Sequence, residues 1–88
     1  MNYDFLVKIW YEFKNQGWEE EPDEKFKTSR DAIAFVKEYV MNELEIWHKE
    51  HPDLSAFVSM CETKNDEIFK VKLDYGNQES LYCLVIPW

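Results

Sequence analysis

The chain contains few of the residues that flexible, disulfide-stabilised or membrane-spanning proteins need. It has two glycines, three prolines and two cysteines among 88 residues, which argues against a flexible linker or a disulfide framework. No stretch approaches the roughly 18 to 20 apolar residues of a membrane span, and no basic leader precedes an apolar segment at the start. We therefore expect one domain over residues 1–88, located in the cytoplasm.

Basic side chains are also scarce. Arg30 is the only arginine, and 18 acidic residues outnumber 10 basic ones, which gives a net charge of −8. Nucleic-acid phosphates and anionic membrane surfaces both require clustered basic side chains. We therefore expect no direct binding to nucleic acid and no membrane contact. The partner expected instead is a basic protein surface or a second copy of the chain.

Local negative charge is what the chain has in abundance. Five of the six residues from Glu19 to Glu24 are acidic, and because like charges repel one another we predict that they form a solvated loop. In that loop Trp18 would supply a buried aromatic contact while the carboxylates steer a basic partner. The alternative is that the charge only keeps the protein soluble. The candidate binding residues are Trp18, Glu19, Glu20, Glu21, Asp23 and Glu24.

Apolar periodicity predicts the fold. Apolar side chains at every odd position from Tyr3 to Phe13 indicate a half-buried strand. Thr28 and Ser29 are suitable N-cap residues for a helix whose apolar positions recur every three or four residues, and Pro52 ends that helix. The remaining strands are predicted near 25–27, 54–63, 67–75 and 81–88.

These elements predict an α+β fold of two layers, with one α-helix packed on one face of a mainly antiparallel sheet of four or five strands. The last strand is apolar on both sides, which places it inside the sheet next to the first strand. The expected strand order is 25–27, 3–13, 81–88, 67–75 and 54–63. Asn15, Gln16 and Gly17 would form the turn after the first strand.

The strand register decides which side chains the helix covers. A two-residue turn at Asn65 and Asp66 would place Val58 opposite Leu73. A four-residue loop from Gly76 to Glu79 would then put Tyr82, Leu84 and Ile86 on the helix face. The opposite face would lack a covering helix and could contact a partner or a second copy, or it could be a partly apolar exposed sheet. The candidate contacts on that face are Leu6, Trp10, Phe57, Leu81 and Val85.

No residue pattern predicts catalysis, a metal or a cofactor. His48 and His51 lie near a helix end broken by proline, a position that does not hold both rings on one face for zinc. Cys61 and Cys83 are expected to be small buried hydrophobes; a disulfide would need them on neighbouring strands. Solvated carboxylates lack environments that separate their pKa values for acid–base catalysis. We therefore expect a protein that is not an enzyme.

The function predicted from these observations is that of a small acidic interaction protein. Its carboxylates could replace DNA phosphates on a nucleic-acid-binding protein, so the domain would act as an inhibitor. Small size, acidity and aromatic richness are similar in general character to inhibitor proteins of phages and mobile elements, and no motif ties the chain to a named family. The alternative is an assembly protein that homo-oligomerises through its uncovered sheet face.

Overall fold

The computed structural model describes residues 4–14, 17–76 and 79–88. The predictions that involve Tyr3, Asn15 to Gln16 and Asn77 to Gln78 lie outside these ranges. In chain order the elements are β1 (Phe5–Phe13), β2 (Gly17–Glu20), β3 (Glu24–Phe26), α1 (Ser29–Glu50), β4 (Phe57–Met60), β5 (Phe69–Asp74) and β6 (Glu79–Pro87).

One helix packs against one face of an antiparallel sheet. The strand order is β2-β1-β6-β5-β4. The short strand β3 pairs with residues 5–7 of β1, on the same edge where β2 pairs with residues 10–13. The predicted α+β class is confirmed, and so is the predicted order of the five strands. The described ranges contain six strands, because the acidic segment supplies β2 in addition.

The helix forms where capping and periodicity coincide. The Thr28 hydroxyl oxygen accepts a hydrogen bond from the Asp31 amide at 3.1 Å, which satisfies a free N–H group of the first turn. At the other end the His51 amide donates to the Trp47 carbonyl oxygen at 2.8 Å. The residues of α1 buried against the sheet are Ala32, Val36, Val40 and Trp47. The predicted helix ends are confirmed.

The predicted facing of β6 is wrong. Asp74 pairs with Ser80 and Leu73 with Leu81, whereas the expected four-residue loop would have paired Tyr75 with Ser80. A shift of one residue turns every side chain of a strand to the other face. Leu81 and Val85 therefore lie fully buried on the helix side. The β6 residues on the open face, which is the face of the sheet away from the helix, are instead Tyr82, Leu84 and Ile86.

The strand β4 extends beyond the cover of the helix. Its predicted register is confirmed, with Val58 opposite Leu73 and Met60 opposite Val71. In the described part of the chain, however, α1 packs on β1, β3, β5 and β6 and does not reach β4. Val58 and Met60 consequently remain exposed on the helix side of the sheet, although sequence reasoning expected the helix to cover them.

Candidate interaction surfaces

The acidic segment, Trp18 to Glu24, is not a single loop. Trp18 to Glu20 belong to β2 and Glu24 begins β3, so the expectation of a loop is wrong for these residues and fits only residues 21–23. Glu20 pairs with Trp10 and Trp18 with Glu12 in an antiparallel register. Glu24 begins β3, the next strand along the same edge of β1. Only residues 21–23 lie between the two strands, and there the Glu21 amide donates to the Ile9 carbonyl oxygen at 2.9 Å. The backbone of the segment is therefore attached to β1 on both sides of Pro22.

Pairing with β1 distributes the acidic side chains over both faces of the sheet edge. Trp18 and Glu20 share the open face with their partners on β1, whereas Glu19 lies beside Tyr11 on the helix side. Trp18 is 66% exposed, and every residue of β2 is exposed. Of the five carboxylates, only Asp23 forms an ion pair within the described residues, at 3.2 Å from the Lys8 ammonium.

Two hydrogen bonds link β1, beside the acidic segment, to the helix α1. The Tyr11 hydroxyl donates to Glu43 Oε1 at 2.7 Å. Since that uses its only proton, the Tyr39 hydroxyl, 3.3 Å away, is left to donate to Tyr11. Burial raises the pKa of both tyrosines. Sequence reasoning missed Glu43, although its spacing of four residues from Tyr39 places both on one side of α1.

The open face of the sheet carries an aromatic stack. The rings of Trp10 and Tyr82 are cross-strand neighbours, 5.2 Å apart and inclined by 10°. The Lys70 and Lys72 ammonium groups lie 5.7 Å from the Tyr82 ring centre, and the Trp10 indole N–H donates to Glu12 at 2.9 Å. The face is therefore amphipathic, because charged groups cover its aromatic rings.

Only three of the five sheet-face candidates lie on that face. Leu6 and Trp10 are half-buried there, and Phe57 lies exposed at the β4 edge. Leu81 and Val85 are buried under the helix and cannot touch a partner while the protein is folded. Their misplacement follows from the incorrect β6 register.

Two hollows flank the acidic edge on the open face. The larger, of about 730 Å³, includes Trp18, Tyr82 and Lys72 in its lining. The smaller, of about 230 Å³, lies where Trp10 and Trp18 approach Glu20 and Glu21. Lys8 and Asp23 also line it, and they pair with each other, so the charge available there is that of the two glutamates. Aromatic rings and carboxylates together can receive a cationic side chain, because both attract positive charge.

The residues considered for chemistry are dispersed. Cys61 and Cys83 are free thiols on opposite faces of the sheet. Cys83 is buried as predicted, whereas Cys61 is partly exposed, so the prediction of a buried side chain is wrong for Cys61. His48 and His51 both lie against the Trp47 ring. Among the described residues, no group of three or more His, Cys, Asp or Glu side chains is arranged to hold a metal ion.

The single helix of the described ranges is too polar to cross a lipid bilayer. A scan against protein-family models, a search of curated proteins and a search of solved structures each give no significant match.

Proposed function

We propose that this protein is a small acidic interaction protein, not an enzyme, that binds a basic surface of another protein through the segment from Trp18 to Glu24. The observation that carries the proposal is the arrangement of this edge. A tryptophan that is 66% exposed lies among exposed carboxylates on a backbone held to β1. The sequence alone suggests the composition of the site, and strand pairing supplies its geometry.

The two kinds of side chain would act at different stages of binding. Carboxylates attract a basic partner over distances comparable to the Debye length, about 8 Å at physiological ionic strength. A large aromatic ring then contributes short-range contact when water leaves it, and tryptophan is frequent among the residues that dominate interface energies. Glu19, Glu20, Glu21 and Glu24 have no ion pair within the described chain, so their charge is available to a partner.

The partner class we propose is a nucleic-acid-binding protein. Its basic surface already accepts rows of phosphates, and rows of carboxylates satisfy the same ammonium and guanidinium donors. Occupation of that surface would exclude the nucleic acid, so the domain would act as an inhibitor. Direct competition between this protein and duplex DNA for one partner is the property that distinguishes this role from other binding.

The test compares two variants with equal loss of charge. One carries Glu→Gln at 19, 20, 21 and 24, which leaves the Lys8–Asp23 pair intact; the control carries Glu→Gln at 38, 45, 50 and 62, all exposed elsewhere. Each is immobilised beside the native protein, and proteins captured from an extract of the source cells at low and high salt are identified by mass spectrometry.

We expect the native protein and the control to retain nucleic-acid-binding proteins at low salt, to release them at high salt and to lose them to added duplex DNA. The edge variant should not retain them. Trp18→Ala should weaken binding by roughly tenfold or more with an unchanged salt dependence. If the edge variant captures the same proteins with the same salt dependence as the control, the proposal is wrong.

A further inference from the structure

The two outer edges of the sheet differ in their protection. An edge strand presents unpaired N–H and C=O groups to which another strand can bind, and proteins commonly block such edges with charged side chains. At one edge β2 carries two glutamates, Glu19 and Glu20. At the other, β4 consists of Phe57, Val58, Ser59 and Met60 and carries no charge. Only the β4 edge is therefore chemically open to a further strand.

The register identifies the backbone groups that β4 offers. The Cys61 amide donates to the Lys70 carbonyl oxygen at 3.0 Å. Because hydrogen-bonding direction alternates along an antiparallel strand, the backbone groups of Phe57 and Ser59 also point to β5, and those of Val58 and Met60 point outward. Within the described residues, no strand pairs with these outward groups.

The three large side chains of β4 are apolar, and they are uncovered on both faces of the sheet. Phe57 is 65% exposed on the open face, while Val58 and Met60 are 46% and 66% exposed on the helix side. Exposed apolar side chains that adjoin unpaired backbone groups are the combination that strand addition uses, since the backbone supplies hydrogen bonds and the side chains supply burial.

We propose that β4 binds β4 of a second copy of this chain, antiparallel and about a two-fold axis at Ser59, so that the two sheets become one. In this register the outward groups of Val58 meet those of Met60 of the second copy, which allows four hydrogen bonds. Val58 then packs against Met60 on the helix side and Phe57 against Cys61 on the open side. Serine, a small side chain, meets its own copy at the axis, so a single strand is complementary to itself.

The charge distribution favours pairing of two copies through β4 over pairing through β2. Each chain carries a net charge of −8, and the strand order places β2 four strand spacings from β4. That separation is roughly 19 Å, more than twice the Debye length of about 8 Å at physiological salt. Pairing through β4 therefore keeps the two acidic edges apart, whereas pairing through β2 would bring them together.

The area available indicates a reversible dimer. Phe57, Val58 and Met60 with the adjoining Leu54, which is also exposed, offer on the order of 400 Å² per copy, about half of the 800 Å² per partner of a standard interface. We therefore expect a dissociation constant of roughly 10 to 100 µM. Higher salt should strengthen the dimer, because it screens the repulsion between like-charged copies. The inference does not rest on the proposed function, which concerns the opposite edge.

Sedimentation equilibrium between about 5 and 500 µM, a range that brackets the expected constant, tests the inference. The mass of the native protein should rise from one copy to two with concentration. Met60→Lys places an ammonium group against Val58 of the second copy and should weaken the dimer by at least about tenfold. Met41→Lys is the matched control, because Met41 is similarly exposed, lies on α1 and changes the net charge equally. Circular dichroism verifies that both variants fold.

Hydrogen exchange of single amides distinguishes strand pairing from packing between faces. As the dimer forms, the Val58 and Met60 amides should exchange more slowly, while the Ser59 amide, already directed at β5, should change little. Three results would each overturn the inference: a monomer over the whole range, a dimer that withstands Met60→Lys, or a dimer in which the Val58 and Met60 amides exchange as fast as in the monomer.

Discussion

The two cysteines differ in reactivity because the sheet separates them. Cys83 faces the helix and is fully buried, and burial raises the pKa of its thiol to about 12. Cys61 lies beyond the end of β4 on the opposite face and is partly exposed. Because thiolates, and not thiols, react with alkylating reagents, both access and protonation protect Cys83.

We expect iodoacetamide at pH 8 to modify Cys61 in the folded protein and to leave Cys83 intact. The raised pKa alone lowers the thiolate fraction of Cys83 by about a thousandfold. Peptide mass spectrometry over a time course measures both rates, and urea-unfolded protein, in which both thiols should react, is the control. Equal rates in the folded protein would show that this part of the core opens readily.

Burial at residue 81 can be tested by truncation. Leu81→Ala removes a fully buried side chain from between sheet and helix, and we expect it to lower the free energy of unfolding by about 2 to 5 kcal/mol. Ile46→Ala is the control, because Ile46 has a side chain of the same size and is 53% exposed; it should stay within about 0.5 kcal/mol of the native protein. Urea titration measures both. A small loss at Leu81 would favour the facing expected from the sequence alone.

At the scale of the elements, the helix depends on its first turn. Thr28→Ala removes the side-chain acceptor of the Asp31 amide and should cost about 0.5 to 2 kcal/mol of stability. Ser29→Ala is the control, because Ser29 is the first helical residue and Thr28 occupies the cap. Urea titration of both variants measures the effect. Equal losses would mean that the cap hydrogen bond adds little.

Elements with strong periodicity could be predicted from the sequence, and the register of β6 could not. Apolar residues alternate in β1 and recur at helical spacing in α1, so each pattern allows one arrangement. In β6, residues 81–86 are almost all apolar, and either facing buries hydrophobic side chains. The choice then depends on one residue of loop length between β5 and β6, a difference that composition does not reveal.

The acidic edge was predictable in composition and not in conformation. Glutamate is depleted in strands, and Pro22 disfavours a central strand, so the pattern indicates a loop. Strand β2 nevertheless forms because it lies at an edge, where its side chains stay in water and no charge must be buried. Gly17 assists by adopting a φ of +88°, which other residues rarely accept. The site residues could thus be found without their arrangement.

At the scale of the whole molecule, three tyrosines and one cysteine with raised pKa values all interact with the carboxylate of Glu43. Burial raises the pKa values of Tyr11, Tyr39, Tyr75 and Cys83, and the charge of Glu43 raises them further. The folded protein therefore holds these protons more tightly than the unfolded chain, whose values lie near 9 for cysteine and 10 for tyrosine. The resulting stabilisation is complete below those values and is lost as the pH rises.

We therefore expect the free energy of unfolding to fall steadily above about pH 9. Urea titrations at fixed ionic strength from about pH 7 to 11 measure the slope. Tyr11→Phe removes one of these protons and should make the decline shallower. A stability that stays constant up to pH 11 would contradict the assignment.

The attachment of the acidic segment to β1 on both sides of Pro22 has a consequence for the speed of binding. A segment whose backbone is already held does not have to be ordered when a partner arrives, so its charges can capture basic proteins on first encounter. Added salt should then slow association and leave dissociation nearly unchanged, while the contact made by Trp18 governs how long the complex lasts. At this edge the carboxylates would therefore set the rate of association, and Trp18 would set the rate of dissociation.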